Sequence, residues 1–182
     1  MRNNFRAKQA GFVLAISMIF LIVMTMLAVT AIKKATMDEK VTGNLRAHDL
    51  AFHAAEKALR FCESNLELAV GSLKMCQLRV GSTIIVAPST KQADMSDVTK
   101  NFPDQWNNPL NWKGGGSHNA TTLVGVNMIA NVAAQPQCMI ERWEMPNERG
   151  RDFYPYVITA RGVGSVDTAV VWLQEVIRCG NN

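Results

Sequence analysis

No catalytic signature runs through this sequence. It has no GxSxG elbow, no Walker sequence, no HExxH and no glycine-rich dinucleotide fingerprint. Histidine is scarce, at three residues. His48 and His53 stand about 140° apart around a helix, so they do not converge as metal ligands. His53 and Glu56 share a face, which reads as a surface contact, and His118 sits in a glycine-rich loop with no identifiable partner. Asp94, Asp97 and Asp104 are too sparse for a calcium loop. There is no CxxC and no Cys/His metal spacing. These absences predict a protein that is not an enzyme, binds no metal and carries no cofactor.

Two further absences give the chain its direction. Phe12–Ile32, FVLAISMIFLIVMTMLAVTAI, holds no charge. An apolar run of roughly 20 residues crosses a bilayer core as a helix, and a charge at mid-span costs about 2.5–3.5 kcal/mol. The hydroxyls of Ser17, Thr25 and Thr30 can bond back to helical carbonyls. The preceding stretch, Met1–Gly11, has Arg2, Arg6 and Lys8 but no acid, which keeps the N-terminus cytoplasmic.

The formal charge of +4 comes mostly from that leader. Removing its three cations leaves sixteen basic against fifteen acidic residues, a net of +1. Nothing here argues for a nucleic-acid face, which needs Lys and Arg clustered in the folded domain. The orientation sends Lys33–Asn182 out of the cytoplasm, where disulfides persist. Cys62, Cys76, Cys138 and Cys179 suit two bridges, with three possible connectivities.

The apolar run is longer than the usual secretory h-region, and Gly11–Phe12 lies before it. A short basic leader, then Gly, then Phe opening a hydrophobic helix resembles the type III signal of type IV prepilins. The resemblance implies cleavage between Gly11 and Phe12 by a membrane aspartyl prepilin peptidase, followed by N-methylation of Phe12. Pilins usually carry Glu at the fifth mature position, and here that position is Ile16. In the family this acid is thought to neutralise the terminal amine of a neighbouring subunit. Its absence fits an initiating subunit better than a repeating one.

Beyond the span, Val41, Leu45, His48, Phe52, Ala55, Leu59, Cys62, Leu66, Ala69 and Leu73 recur every three or four residues. This predicts an apolar helical stripe, broken by His48 and widened by Ala51, Ala54 and Ala58. Arg46, Asp49, Lys57, Glu63 and Glu67 fall on the opposite face. The small residues favour docking on a sheet of the same chain over a coiled coil. Gly43 marks a point for a kink or fray, and Gly71 the helix end. A helix from Phe12 to Val70 would run about 88 Å.

The sequence Gly43-Asn44-Leu45-Arg46, followed by Ala51-Phe52-His53-Ala54-Ala55-Glu56-Lys57-Ala58-Leu59-Arg60, resembles the N-terminal module of the PilX family of type IV pilus minor pilins. Residues Gly11–Arg60 carry that resemblance most strongly, the last thirty residues less so, and the middle only in outline. The missing acid at Ile16 is also PilX-like.

In the head, Ser82–Val86 reads as an edge or opening strand before Pro88. The Pro-, Asn- and Gly-rich Ala87–Ser117 reads as loop, and Leu123–Val132 stays open between strand and helix. Gln137–Met145, Tyr154–Val163 and Thr168–Cys179 predict three consecutive antiparallel strands, the last two joined by a short loop at Gly162–Asp167. In the last strand Val170, Trp172, Gln174 and Val176 fall on one face, and Val171, Leu173, Glu175 and Ile177 on the other. The closing strands resemble those of PilX-like proteins. Trp106 and Trp112 read first as packing over the sheet edge and second as an exposed contact for partners. Asn119-Ala120-Thr121 matches a glycosylation sequon, discounted because the leader is not that of eukaryotic secretion.

Along one unbroken helix Cys62 and Cys76 would stand about 21 Å apart, so pairing them requires a turn near Gly71. Cys138 and Cys179 flank the strands. The expected pairing is Cys62–Cys76 with Cys138–Cys179.

The expected fold is therefore α+β, a type IV pilin-like ladle with a long helix packed on a C-terminal antiparallel sheet. The expected parts are a leader at 1–11, a transmembrane half-helix at 12–32, an amphipathic half at 33–71 and a periplasmic head at 72–182. Phe12, Ile16, Leu45, Phe52 and Leu59 are the candidate assembly residues of the helix. The resemblance implies a minor pilin that primes type IV pilus assembly at or near the tip, with downstream roles in twitching, adhesion or DNA uptake. The implied partners are other minor pilins, the major pilin, the prepilin peptidase, the inner-membrane assembly platform and a large tip adhesin. The implied location is the bacterial inner membrane, then the fibre. Two rivals share some features: a type II secretion pseudopilin, and an uncleaved bitopic envelope protein with a small binding or enzymatic head.

Overall fold

A computed structural model describes residues 12–68, 76–88, 102–143 and 155–178. The chain divides into two units, residues 1–45 and 46–182. Helix α1, Phe12–Ser64, contributes to both.

In the first unit α1 is exposed on every side, and it is long and apolar enough to cross a membrane. The hydroxyls of Ser17, Thr25 and Thr30 donate to the carbonyls of Leu14, Ile22 and Leu27 at 2.8–2.9 Å. Each polar group is thereby satisfied within the helix, as a hydrocarbon environment demands. The helix continues through Gly43 without a break, so the expected soft point does not interrupt it.

In the second unit α1 buries Ala47, Ala51, Ala54, Ala55, Ala58 and Cys62. Ala55 and Cys62 belonged to the predicted stripe and Ala51, Ala54 and Ala58 to its widening, whereas its large members Leu45 and Phe52 stay exposed. The buried face is the alanine face, rotated about 110° around the helix from the Leu45–Phe52–Leu59 line. Phe52 remains 44% exposed. The helix also ends earlier than expected, at Ser64 rather than near Gly71. The Asn65 side chain donates to the Phe61 carbonyl at 2.8 Å and its backbone N–H to Cys62 O at 3.1 Å, closing the last turn. Ser and Asn compete for backbone groups and are poor helix formers. The chain then enters strand β1 (Leu66–Leu68), which pairs antiparallel with β2 (Cys76–Leu78), so Leu66 and Glu67 serve a hairpin instead of the helix.

The main sheet has five strands: β3 (Val86–Ala87), β4 (Thr121–Thr122), β5 (Gln137–Arg142), β6 (Tyr156–Val163) and β7 (Val170–Ile177). Its order is β3-β5-β6-β7, with β4 also on β5. The three predicted antiparallel strands are β5, β6 and β7, in register Cys138↔Ala160 and Ala160↔Leu173. The expected strand at Ser82–Val86 reduces to the edge strand β3, which runs parallel to β5. Within the predicted loop, a 3-10 turn (Gln105–Asn107) leads into a short helix α2 (Pro109–Trp112). Asn108 caps α2 through its side-chain oxygen, which accepts from the Leu110 N–H at 3.0 Å, and Pro109 occupies the first helical turn. The open stretch at 123–132 contains a 3-10 turn at Gly125–Asn127.

The second unit therefore has three layers. On one side of the sheet, Cys138, Ile140, Ile158 and Ala160 form a core with Ala58 and Cys62 of α1, and with Ile84 and Leu123. Here helix and strand meet closely. A Cβ on Gly162 would overlap backbone atoms of Ala51 and Ala55, and one on Gly164 would overlap the Ala47 carbonyl. Glycine in a strand at such an approach is a packing requirement. On the other side of the sheet, residues 102–118 cover β5 and β6, where Glu141, Val157, Thr159 and Val163 are buried.

Candidate functional site

The sequence-predicted residues fall into three places. Phe12 and Ile16 lie on the exposed apolar helix of the first unit, 72% and 49% exposed; Gly11 lies outside the described residues. Leu45 is 65% exposed, whereas Leu59 is partly buried against the core. On the loop that follows β4, Val124, Val126 and Met128 are all exposed. Lys57 of α1 donates to the Met128 carbonyl at 3.3 Å, which fixes that loop beside the helix. The second unit thus presents large apolar side chains around a helix whose small ones are consumed by the sheet.

The cysteines correct the expected pairing. Cys62 in the last turn of α1 is joined to Cys138 of β5, with Cα atoms 6.2 Å apart. Both Cys62–Cys76 and Cys138–Cys179 are therefore excluded. Cys76 is also disulfide-bonded, while Cys179 lies outside the described residues. The reason is geometric: Ala58 and Cys62 lie over β5, so the nearest thiol to Cys62 is across the core and not across the hairpin.

The third place is the cap over the far sheet face. Trp112 is 7% exposed and stands edge-to-face with Trp172 of β7, ring centroids 4.7 Å apart. Packing is thus the reading that holds for Trp112, which stands against the edge strand β7. Its indole N–H donates to Trp106 O at 2.7 Å, and that of Trp106 to Pro103 O at 3.0 Å. Arg161 of β6 lies 5.8 Å from the Trp172 ring centroid and donates to Gln137 Oε1 at 3.3 Å. The Gln137 amide in turn donates to Trp112 O and Thr122 Oγ1. The network joining Trp172, Arg161 and Gln137 to the cap was not found from sequence. Its one available signal was the placement of Trp172 with Gln174 on a single strand face.

Beneath the cap lies a buried acid. Glu141 of β5 has no exposed surface, and one carboxyl oxygen accepts from the Gln105 N–H at 2.7 Å. Burial pushes its pKa up to about 7; the N–H groups of Gln105 and Trp106 work against that shift, and Asp104 adds to it. Its second oxygen is buried without a hydrogen-bond partner among the described residues. His53 makes exposed contacts, at 3.8 Å, with Asp49 and Glu56. Among the described residues no three His, Cys, Asp or Glu side chains come together as a metal site; Asp94 and Asp97 lie outside them.

Comparison with known families agrees with this anatomy. The PilX N-terminal model matches residues 10–60, and the model for type IV pilus assembly protein PilX, C-terminal part, matches residues 86–179. No curated protein and no solved structure matches the chain. The N-terminal match covers the exposed apolar helix and its alanine face, and the C-terminal match covers the whole five-stranded sheet. The chain belongs to the PilX family of type IV pilus assembly proteins.

Proposed function

We propose that this chain is a minor pilin that helps prime the type IV pilus. The leader, residues 1–11, is removed between Gly11 and Phe12, and Phe12 is N-methylated. Residues 12–32 hold the protein in the inner membrane with the head in the periplasm. The observation that carries this reading is an uncharged helix, exposed throughout residues 12–32, in a chain of a pilus assembly family. Exposed apolar surface of that length needs either lipid or the equivalent helices of other subunits.

Ile16 supports a starting position at or near the tip, because it offers no acid to a neighbour's terminal amine. Leu45 and Phe52 supply large apolar contacts to other minor pilins or to the major pilin. Assembly proceeds by packing, on the inner-membrane platform and with a large adhesin at the tip. Twitching, attachment and DNA uptake follow from the fibre.

Two measurements test this. Mass spectrometry of protein from a piliated host is expected to find N-methylated Phe12 as the first residue; an intact Met1 overturns processing and favours an uncleaved envelope protein. Deletion of the gene is expected to abolish surface pili while leaving exoprotein secretion intact. The opposite pattern assigns the chain to a secretion system.

A further inference from the structure

The cleft at the edge of the cap encloses about 430 Å³ and is walled by Trp106, Trp112 and Trp172, with Asn107, Lys113 and Arg161 as its polar groups. Such a volume is the size of an ordinary small-ligand site, mostly apolar with a few placed polar groups. The indole N–H groups of Trp106 and Trp112 are already used by backbone carbonyls. Those two rings therefore offer a ligand no donor, only their carbon surfaces. Trp172 is 45% exposed.

The charge of the cleft has one sign. Arg161 and Lys113 line it, no acid does, and neither cation is in a salt bridge among the described residues. Arg161 is held in place on both sides. It lies over the Trp172 ring, and Gln137 accepts one of its N–H groups while being tied to Trp112 and Thr122. A guanidinium fixed in this way, with further N–H groups unspent, is pre-organised for a carboxylate.

We propose that this cleft binds an acidic saccharide, a pyranose bearing a carboxylate. The C–H face of the sugar ring packs on the tryptophan surfaces, the carboxylate meets Arg161 with Lys113 behind it, and Asn107 reaches hydroxyls at the rim. Single-stranded nucleic acid, which also stacks on aromatic rings, fits less well. It needs a basic track along the strand, whereas this cleft holds two cations and the chain outside the leader nets only +1. The proposal does not depend on the pilus reading, since binding is measured on the isolated chain.

Three of the four tryptophans line the cleft, so intrinsic fluorescence reports on it directly. The full-length protein in detergent is titrated with tri-galacturonate, with the neutral galactose trisaccharide and with an oligothymidylate. Saturable quenching by the uronate, at least about tenfold tighter than by either other ligand, is expected. Arg161→Gln is expected to weaken uronate binding about tenfold or more, and Lys113→Gln by a smaller factor. Lys113 is exposed, so its variant keeps the test informative if Arg161→Gln fails to fold. Equal affinity for acidic and neutral sugar, tighter binding of the oligonucleotide, or no quenching by the uronate overturns the proposal.

Discussion

Helix α1 is built on two opposite rules. Over residues 12–32 its side chains are mostly large, apolar and exposed; over 46–64 its buried side chains are alanines and one cysteine. The difference separates what the protein packs against itself from what it leaves for others. Where α1 meets β6, Gly162 and Gly164 leave no room for a Cβ, and the facing helix positions are Ala47, Ala51 and Ala55. Leu and Phe on that face would hold helix and sheet apart. The large residues therefore sit elsewhere, and Phe52 on the same helix segment stays open to solvent.

The sharpest way to break this contrast is to add volume on the small-residue side. Gly162→Val places branched carbon against the backbone of Ala51 and Ala55, which cannot rotate away as a side chain tip does. Overpacking of a tight contact costs typically 1–3 kcal/mol, and here the upper end, about 3 kcal/mol, is expected because the obstacle is backbone. Chemical denaturation of the detergent-solubilised protein measures it. A loss below about 0.5 kcal/mol would show that the helix is not seated on β6.

An effect of comparable size is expected from the bridge that fastens the same helix end. Cys62 and Cys138 are 76 residues apart in sequence, and removing a bridge over a loop of that length costs about 2–5 kcal/mol. Cys138→Ser, assayed by thermal unfolding, is expected to lower stability within that range. Non-reducing peptide mapping is expected to recover Cys62 linked to Cys138. A second bridge should link Cys76 to Cys179, the one cysteine then left of four. Register supports it: Tyr156 pairs with Ile177 near the end of β7, and its hydroxyl donates to Cys76 O at 3.3 Å. Recovery of Cys62–Cys76 would overturn both assignments.

These cases show how far the sequence can be read. The uncharged span, the α+β order and strands β5, β6 and β7 were legible because each has a local period that survives in the fold. The buried face of α1 was legible only in part: Ala55, Cys62 and the widening alanines were placed on it, but period-counting follows large apolar residues and centred it on Leu45 and Phe52. Leu45, His48 and Phe52 outweigh the alanines in such a count, although burial on this sheet selects for small size. The helix end at Ser64 was missed for a related reason: the apolar spacing runs on through Leu66, but Leu66 belongs to the β1–β2 hairpin. Strands β3 and β4 are two residues each and have no period to read. The cleft joins residues 106, 161 and 172, whose meeting depends on sheet register and cap placement together.

A moderate effect is expected on the opposite sheet face, where polar burial replaces small-residue packing. Glu141 titrates near 7 in the folded protein and near 4.5 unfolded, so the folded state holds its proton more tightly. The associated stability is fully present below about pH 4.5 and is lost as pH rises through about 7. From about pH 5 to about pH 8 this group alone is expected to lower stability by on the order of 2–3 kcal/mol. Glu141→Gln is expected to flatten that slope, because the amide cannot ionise. A profile unchanged by the substitution would mean that another group controls it.

The smallest effect on stability is expected where the contrast began, on the exposed side of α1. Phe52→Ala removes a ring that is 44% exposed and whose one aromatic neighbour among the described residues is His53, at 5.9 Å. Surface substitutions of this kind usually change stability by less than about 0.5 kcal/mol. If the large residues of this helix are kept for other subunits, the same variant must nonetheless reduce piliation, and Leu45→Ala must do likewise. Both are scored in cells by counting surface pili against the amount of folded protein in the membrane. Ala55→Leu supplies the converse: it is expected to lower the amount of folded protein itself. A Phe52→Ala strain with normal pili and normal protein would leave the exposed apolar side chains of this segment without a role in assembly. It would also confine the division of labour to the small residues that seat the helix on its sheet.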